Sequence, residues 1–428
     1  MLYSFATTIS QLSFRVYFKK IHYTGLEKIP LDKPLLLIAN HTNALIDPVI
    51  INAYFPQRMH FITRGDVFSR LTIPIFKLLN MYPIYRMHDG YAKLEKNKDT
   101  FEICFDVLKN KGNVLIFAEG DCERMKKLRR LKKGAARMAF QAYYDFDADV
   151  RIVPISINYT EHTSFGGDAM IHCHEPFAIQ EFDAAYKKSK ARAINAFNKK
   201  VFSAMQDNLV HLDNLEEEEL LEATLPIVRN HLKNSFFPIL DKKATNRSKE
   251  EQKASNYINQ LDQLPEKEAL NTFKTKVLSY QSLLKKYNIA GTAVGKSANL
   301  LVLFLLILLF PLFLIGVLVN GLPLLIGDIV AKKKVNEAIY VSTFRWAIMG
   351  FGYFFIWLIV AIIAILSWQW NGVLLAFFLP ISAYLTVFYA SFLKENIEQF
   401  RFWSLKKRQP NIANQLIKED QAIYDLLG

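Results

Sequence analysis

Asn40 and His41 end an almost purely apolar run, "PLLLIA" (34–39), and Asp47, followed by Pro48, stands six residues beyond the histidine. An imidazole beside a carboxylate is a common general base near neutral pH. The carboxylate fixes the ring tautomer and stabilises the imidazolium, while the free nitrogen takes a proton from a hydroxyl. The same pair also suits a structural histidine that caps a helix, so the pair alone decides neither. On a regular helix six positions turn through about 600°, which leaves the two side chains about 120° from a common face. Asp47 is therefore expected to reach back to His41 through an irregular turn, which Asn43 and Pro48 favour.

Four further stretches carry chemistry. "MYPIYR" ends in Arg86, "VLIFAEGDCER" contains Glu119 and Gly120, "LRRLKKGAARMA" follows, and "IVPISINY" comes last. From Arg124 to Lys133 seven of ten residues are cationic: Arg124, Lys126, Lys127, Arg129, Arg130, Lys132 and Lys133. Such a run is either a solvated cationic face or a contact for phosphate or lipid headgroups, which arginine grips bidentately. Nucleic acid fits less well, because aromatic residues do not interleave with the charges as stacking platforms. His162 and "HCH" (172–174) have no second Cys/His pair at zinc spacing, so no metal site is expected and these histidines read as structural. There is no G-x-S-x-G elbow for a serine hydrolase.

The elements that must position these groups follow from the hydrophobic pattern. Residues 34–39, 114–118 and 152–157 are apolar runs of strand length, separated by the helical patterns "AKLEKNKDTFEICFDVLKNKG" and "KKGAARMAFQAYYDF". Strands apolar on both faces, alternating with helices, predict an α/β layer with a mostly parallel sheet flanked by helices. Reactive groups then lie beyond the carboxyl ends of the strands, where His41 and Glu119 stand. Residues 186–295 are polar and helix-forming and read as a helical extension with a mobile linker near 242–257.

Residues 299–327 and 346–393 carry no charge, and each stretch exceeds the roughly 20 apolar residues that cross a bilayer. The second divides at "SWQWNG", whose tryptophans suit an interface, into spans at 345–366 and 372–393. The first, 299–331, is interrupted by Pro311, Asn320-Gly321 and Pro323. It is expected to be a re-entrant hairpin or a single span, the hairpin returning Lys332–Lys334 to the side of the catalytic domain. These features predict an integral membrane protein with a transmembrane region at 296–395 and a basic C-terminal tail at 396–428. Residues 1–22 read as an amphipathic helix that lies in the bilayer interface or packs on its own domain. Net charge is +13, which suits anionic headgroups or phosphorylated substrates. Three cysteines without C-x-x-C spacing fit a reducing compartment.

In order and spacing, the blocks at 40–47, 81–86, 117–124 and 152–157 resemble those of the glycerophospholipid acyltransferase family, approximately N-H-x4-D, G-x-I-x-I-x-R, F-P-E-G-T-R and V-P-hydrophobic. The wider His-x5-Asp-Pro spacing is similar to the fungal glycerol-3-phosphate and dihydroxyacetone-phosphate branch. The resemblance covers about residues 20–180 and implies an acyltransferase domain over 23–185. It implies His41 as base and Asp47 as its orienting partner. Arg86 would then hold the acceptor's phosphate, with Glu119 and Gly120 completing the acceptor site and Pro154 marking the last core strand. Ala118, Asp121 and Cys122 depart from the family's Pro, Thr and Arg; the missing arginine is offset by the basic run, Arg124, Lys132 and Lys133 among it.

The implied activity is O-acyl transfer in phosphatidic acid synthesis. The donor is an acyl thioester (acyl-CoA or acyl carrier protein), and the acceptor is glycerol 3-phosphate or its lysophospholipid product, 1-acylglycerol 3-phosphate. No cofactor is implied beyond the donor itself. Catalysis would take place at the cytoplasmic face of a lipid bilayer, with backbone N–H groups near the helix that follows His41 as oxyanion donors. The alternatives are a non-catalytic lipid-binding or scaffold protein that keeps the fold, and a hydrolase that directs the same pair at water.

Overall fold

The computed structural model describes residues 1–428 except 71–72, 87–89, 164, 233–238, 243–246 and 335–336. Among the described residues nine strands form one sheet: β1 (Lys20–Thr24), β2 (Leu35–Ala39), β3 (Met59–Arg64), β4 (Met81–Ile84), β5 (Asn113–Phe117), β6 (Arg151–Tyr159), β7 (Asp168–Cys173), β8 (Phe177–Ala178) and β9 (Leu240–Asp241). Their order is β4-β3-β5-β2-β6-β7-β1-β9, with β8 beside β6. All pairings are parallel except those of β6 with β7 and β8.

The three apolar runs become β2, β5 and β6. All five residues of β2 are buried, as expected of a central strand covered on both faces. Leu35, Leu37 and Ala39 enter one core, and Leu36 and Ile38 enter the other. The first core lies under α1 (Leu2–Tyr17) and α2 (Ile46–Tyr54). The second lies under α5 (Asn97–Lys109), α6 (Gly134–Phe146) and α8 (Lys190–Gln206). Phe76 on α3 (Ile73–Leu78) packs on the first core and Tyr186 on α7 (Asp183–Lys188) on the second, and the short α4 (Tyr91–Leu94) precedes α5. Register sets the site. Ala39 pairs with Phe117, so His41 and Glu119, each two residues beyond its strand, emerge side by side.

A third core belongs to α9 (Glu218–His231), α10 (Arg247–Asp262) and α11 (Glu268–Tyr287). The mobile linker expected at 242–257 is not what forms. Helix α10 occupies 247–262, and Ala254 and Ile258 on it are fully buried, so apolar spacing outweighed the low apolar content; 243–246 fall outside the described residues.

The C-terminal part comprises α12 (Leu300–Lys334), α13 (Ala338–Ala347), α14 (Tyr353–Trp368), α15 (Trp370–Arg408) and α16 (Pro410–Tyr424). The stretches Leu300–Leu322, Ile339–Trp368 and Trp370–Arg408 are long and apolar enough to cross a membrane. The re-entrant hairpin at 299–331 is overturned, because α12 is one helix of 35 residues. Asn320, where the turn was expected, instead donates from Nδ2 to Gly316 O (2.9 Å) and Ser382 Oγ (3.0 Å), and accepts from Tyr353 OH (2.9 Å). A polar residue satisfied inside a helical bundle does not break its helix. A π-type turn at Ile348–Gly352 joins α13 to α14. Helices α14 and α15 form an antiparallel pair, Tyr353 OH donating to Leu379 O (3.1 Å) and Trp357 Nε1 to Ala376 O (2.7 Å). Residues 396–428 are not a separate tail either. Helix α15 continues to Arg408, and Phe402, Ala413, Leu416 and Ile423 are buried in the third core.

Candidate functional site

The turn that leaves β2 is built around Asp47. Asn40 first ties the strand end to β6, donating from Nδ2 to Ile157 O (3.0 Å) and accepting Ile157 N–H on Oδ1 (2.8 Å). The chain then turns irregularly, with Ala44 at φ +27°, and enters α2. Asp47, fully buried in the first turn of α2, accepts three hydrogen bonds on Oδ2: from His41 Nδ1 (2.8 Å), Thr42 N–H (2.8 Å) and Asn43 N–H (2.7 Å). Its Oδ1 accepts Tyr159 OH at 2.6 Å. Four donors thus converge on one buried carboxylate in the first turn of a helix, and both of its oxygens are engaged. The irregular turn expected from the five-residue spacing is present, and it brings His41 and Asp47 together.

Because Nδ1 faces Asp47, Nε2 is the nitrogen left for a substrate proton. The imidazole stacks on Phe117, with centroids 4.1 Å apart and planes 22° from parallel. Burial opposes charging the ring, but the Asp47 carboxylate and the Cys122 sulfur outweigh it, so His41 is more basic than an ordinary histidine.

Glu119 acts on the backbone of His41. Its Oε1 accepts the His41 N–H at 2.8 Å, and its Oε2 accepts Arg129 Nε at 2.8 Å and Arg129 N–H at 3.3 Å. Burial raises its pKa against the pull of Arg129. Both carboxylate oxygens are thus engaged by protein. Gly120 has φ +76°, and a Cβ there would lie 3.0 Å from the Lys132 side chain. That combination of left-handed backbone and close packing requires glycine. The basic run divides. Lys126 is buried and donates to Tyr159 O (3.3 Å), Lys127 donates to Asp213 O, and Arg129 holds Glu119, whereas Arg124, Arg130, Lys132 and Lys133 face outward.

Beyond the ends of β3 and β4 lies a second cationic group. Arg86 Nη1 sits 3.0 Å from Asp121 Oδ1. Arg64, paired in register with Ile84, contacts Asp66 (Nη2–Oδ2 2.5 Å) and donates to Tyr340 OH (2.9 Å). Burial raises the Asp121 pKa, but the Cys122 N–H and the charges of Arg86 and Arg64 outweigh it and hold the carboxyl below its usual range. Asp121, at the position of the expected threonine, is therefore a counter-ion for these arginines.

One expectation fails here. The backbone N–H groups before α2 are not available as oxyanion donors. Thr42 and Asn43 donate to Asp47, Ala44 donates to Cys122 Sγ (3.0 Å), and Leu45 donates to Thr343 Oγ1 (3.2 Å). Four residues of the site were not singled out from sequence: Arg64, Cys122 as a turn-holding sulfur, Tyr159 and Thr343. Tyr159 carried a signal, standing at the end of "IVPISINY"; Thr343, in an apolar segment almost 300 residues away, carried none. His172 and His174 contact protein polar groups, Nδ1 of the first lying 2.8 Å from Thr24 Oγ1 and Nε2 of the second 2.6 Å from Ser156 Oγ. Among the described residues no cluster of His, Cys, Asp or Glu is arranged to hold a metal.

Residues 20–158 match the family model described as Acyltransferase. Over 117 residues the chain is 31% identical to Glycerol-3-phosphate O-acyltransferase 2 of Saccharomyces cerevisiae, a match that covers 27% of this chain and spans 16% of the length of that relative. Among solved structures, the 1-acyl-sn-glycerophosphate (LPA) acyltransferase of Thermotoga maritima aligns at 20% identity with a TM-score of 0.35, over 47% of this chain and 78% of that one.

Proposed function

We propose that the protein, whose residues 20–158 match the Acyltransferase family model, transfers a fatty acyl group from an acyl thioester to a hydroxyl of a glycerol phosphate, at a membrane. The observation that carries this reading is the His41–Asp47 pair, whose carboxylate is held by four hydrogen bonds at a strand end. His41 Nε2 takes the proton as the acceptor oxygen bonds to the thioester carbonyl carbon. The tetrahedral intermediate then expels the thiolate, and the imidazolium returns the proton to sulfur. Proton transfer of this kind is worth about 10²–10⁴-fold in rate.

Arg86 and Arg64 are the groups for the acceptor's phosphate, with Arg124, Lys132 and Lys133 on the outward side of the same loop. Their resting counter-ions, Asp121 and Asp66, would be displaced or shared as the dianion arrives. The donor is acyl-CoA or acyl carrier protein, and the acceptor glycerol 3-phosphate or 1-acylglycerol 3-phosphate. The reaction needs no cofactor. The catalytic domain faces the cytoplasm, where thioesters are made.

The test incubates membranes containing the protein with an acyl thioester and each acceptor in turn, and identifies the lipid formed. Acylation of either acceptor supports the reading. Free fatty acid without an acylated acceptor would show a hydrolase, and no thioester turnover a lipid-binding or scaffold protein.

A further inference from the structure

Between α1 and the C-terminal helices lies a cavity of about 890 Å³. One wall is α1, from Ile9 to Tyr17. Most of the rest comes from Trp346 and Met349, from Tyr353 to Trp357 on α14, and from Pro380 to Val387 on α15, with Phe165, Leu240 and Asn320 also contributing. None of His41, Asp47, Arg86 and Glu119 lines it, so it is separate from the catalytic pair. Leu12 and Ile381 on its lining are 59% and 55% exposed, which places its opening at the surface. The C-terminal helices also expose apolar side chains outside the cavity lining: Leu318 on α12 and Phe377 on α15 are 82% and 72% exposed.

A large apolar cavity is poorly filled by water and well filled by hydrocarbon. Inside a bilayer the hydrocarbon at hand is a lipid chain. Among the described residues that line the cavity, Arg15 is the one charged side chain, and it is exposed. It stands one turn from Leu12 at the opening, and no carboxylate joins it in the lining. A guanidinium in that position pairs with a phosphate more favourably than with a headgroup that carries its own cation.

We propose that this cavity binds one acyl chain of an anionic glycerolipid from the bilayer, with the lipid's phosphate on Arg15. The lipid is a bound component of the protein, distinct from the donor and acceptor at His41. Trp346 and Phe14 stack between cavity and domain core (centroids 4.6 Å apart), and Trp346 Nε1 donates to Ser13 Oγ (2.8 Å). The cavity floor is therefore a packed wall of the catalytic domain. The proposal rests on the helices lying in a bilayer and is independent of acyl transfer.

The experiment uses the full chain carrying His41→Ala, so that turnover cannot consume the probe, in phosphatidylcholine discs. The discs contain a minor fraction of phosphatidic acid, phosphatidylglycerol or phosphatidylcholine with a diazirine in the acyl chain. After irradiation, adducts are mapped by mass spectrometry. The expected result is adducts at Met349, Trp357 and Tyr384 with the two anionic probes. Ala383→Trp and, separately, Val387→Trp fill the space and should reduce these adducts about tenfold, because the buried apolar contact is lost. Arg15→Gln should abolish the preference for anionic probes.

Three results would overturn the proposal. The first is labelling at these positions no stronger than at Leu318 and Phe377. The second is equal labelling by the phosphatidylcholine probe, and the third is loss of label on adding a water-soluble acyl-CoA, which would make the chain the donor's.

Discussion

Thr343 Oγ1 accepts the backbone N–H of Leu45 at 3.2 Å, joining the C-terminal helices to the turn that carries His41 and Asp47. Other contacts surround this one. Asn43 Nδ2 donates to His162 O (3.2 Å), and Ser342 on α13 donates to the same carbonyl. Arg345 reaches Thr163 O, and Arg64 reaches Tyr340 OH (2.9 Å). Helix α13 thus borders the candidate site on two sides although it lies far outside the matched family segment. Its residues hold the turn and act through it.

Thr343→Val should therefore lower kcat by about tenfold to a hundredfold, the range expected when a catalytic group is displaced by a fraction of an ångström to one ångström. The KM for the acceptor should change little, and Thr343→Ser should restore most of the activity. Steady-state kinetics on the two variants checks this; equal loss in both would point to a packing defect.

His41→Ala should abolish acyl transfer while leaving expression intact, and Asp47→Asn should lower it severely. Turnover of His41→Ala within about tenfold of wild type would contradict general-base catalysis. Tyr159→Phe removes one donor from the buried Asp47 carboxylate and leaves that lone pair unpaired. A loss of about 1–3 kcal/mol in stability is expected, read as a shift in thermal unfolding.

The pH profile follows from His41. Its folded pKa is raised, and under the proposed mechanism the neutral ring is the active form. Activity should then rise with pH through an inflection above the ordinary histidine value of about 6.5. Asp47→Asn removes the carboxylate, so the inflection should move to lower pH while the plateau falls. The linkage has a matching sign: the His41–Asp47 pairing contributes stability fully below about pH 6.5, and this is lost as pH rises through the raised folded pKa. An inflection unmoved by Asp47→Asn would exclude His41 as the titrating group.

Arg86→Ala and Arg64→Ala should each raise the acceptor KM far more than the donor KM. Asp121→Asn removes the counter-ion of Arg86 and should lower the acceptor KM instead. Initial rates at varied concentrations of each substrate separate these outcomes, and unchanged KM values in both arginine variants would remove the phosphate assignment.

Sidedness is tested by single cysteines at Lys333, Asn371 and Lys406, labelled on intact cells with an impermeant thiol reagent. Arg345 ties Asp328, near the end of α12, to Thr163 O (the ion pair with Asp328 is 2.5 Å), and Phe402 is buried in the third core. Val294, just before α12, shares that third core, so both ends of α12 are held at the folded domains and α12 is expected not to cross although it is long enough. Positions 333 and 406 are therefore expected on the side of the His41 domain. The tip between α14 and α15 carries Trp368 and Trp370, 62% and 80% exposed, and should be labelled at 371 alone. Labelling at 333 and 406 but not at 371 would place the catalytic domain outside.

Much of the sheet was legible in the sequence. The runs 34–39, 114–118 and 152–157 are apolar at every position because both faces of β2, β5 and β6 are covered, and short-range pattern alone reports that. The His41–Asp47 pair and its irregular turn were legible for a similar reason, since six residues fix the spacing whatever the rest of the chain does. Tertiary structure decided what depends on partners distant in sequence. The register of β2 on β5 puts Glu119 under the His41 backbone, where its oxygens serve the turn and Arg129. Asp121 became a counter-ion because Arg86 and Arg64 end on adjacent strands. Asn320 remained inside a helix because Ser382 and Tyr353 satisfy it. Thr343 reached the turn that carries His41 and Asp47 only through the packing of α13. Sequence pattern registers which residues are buried and how neighbours are spaced; a hydrogen-bond partner hundreds of residues away leaves no mark on it until the chain is folded.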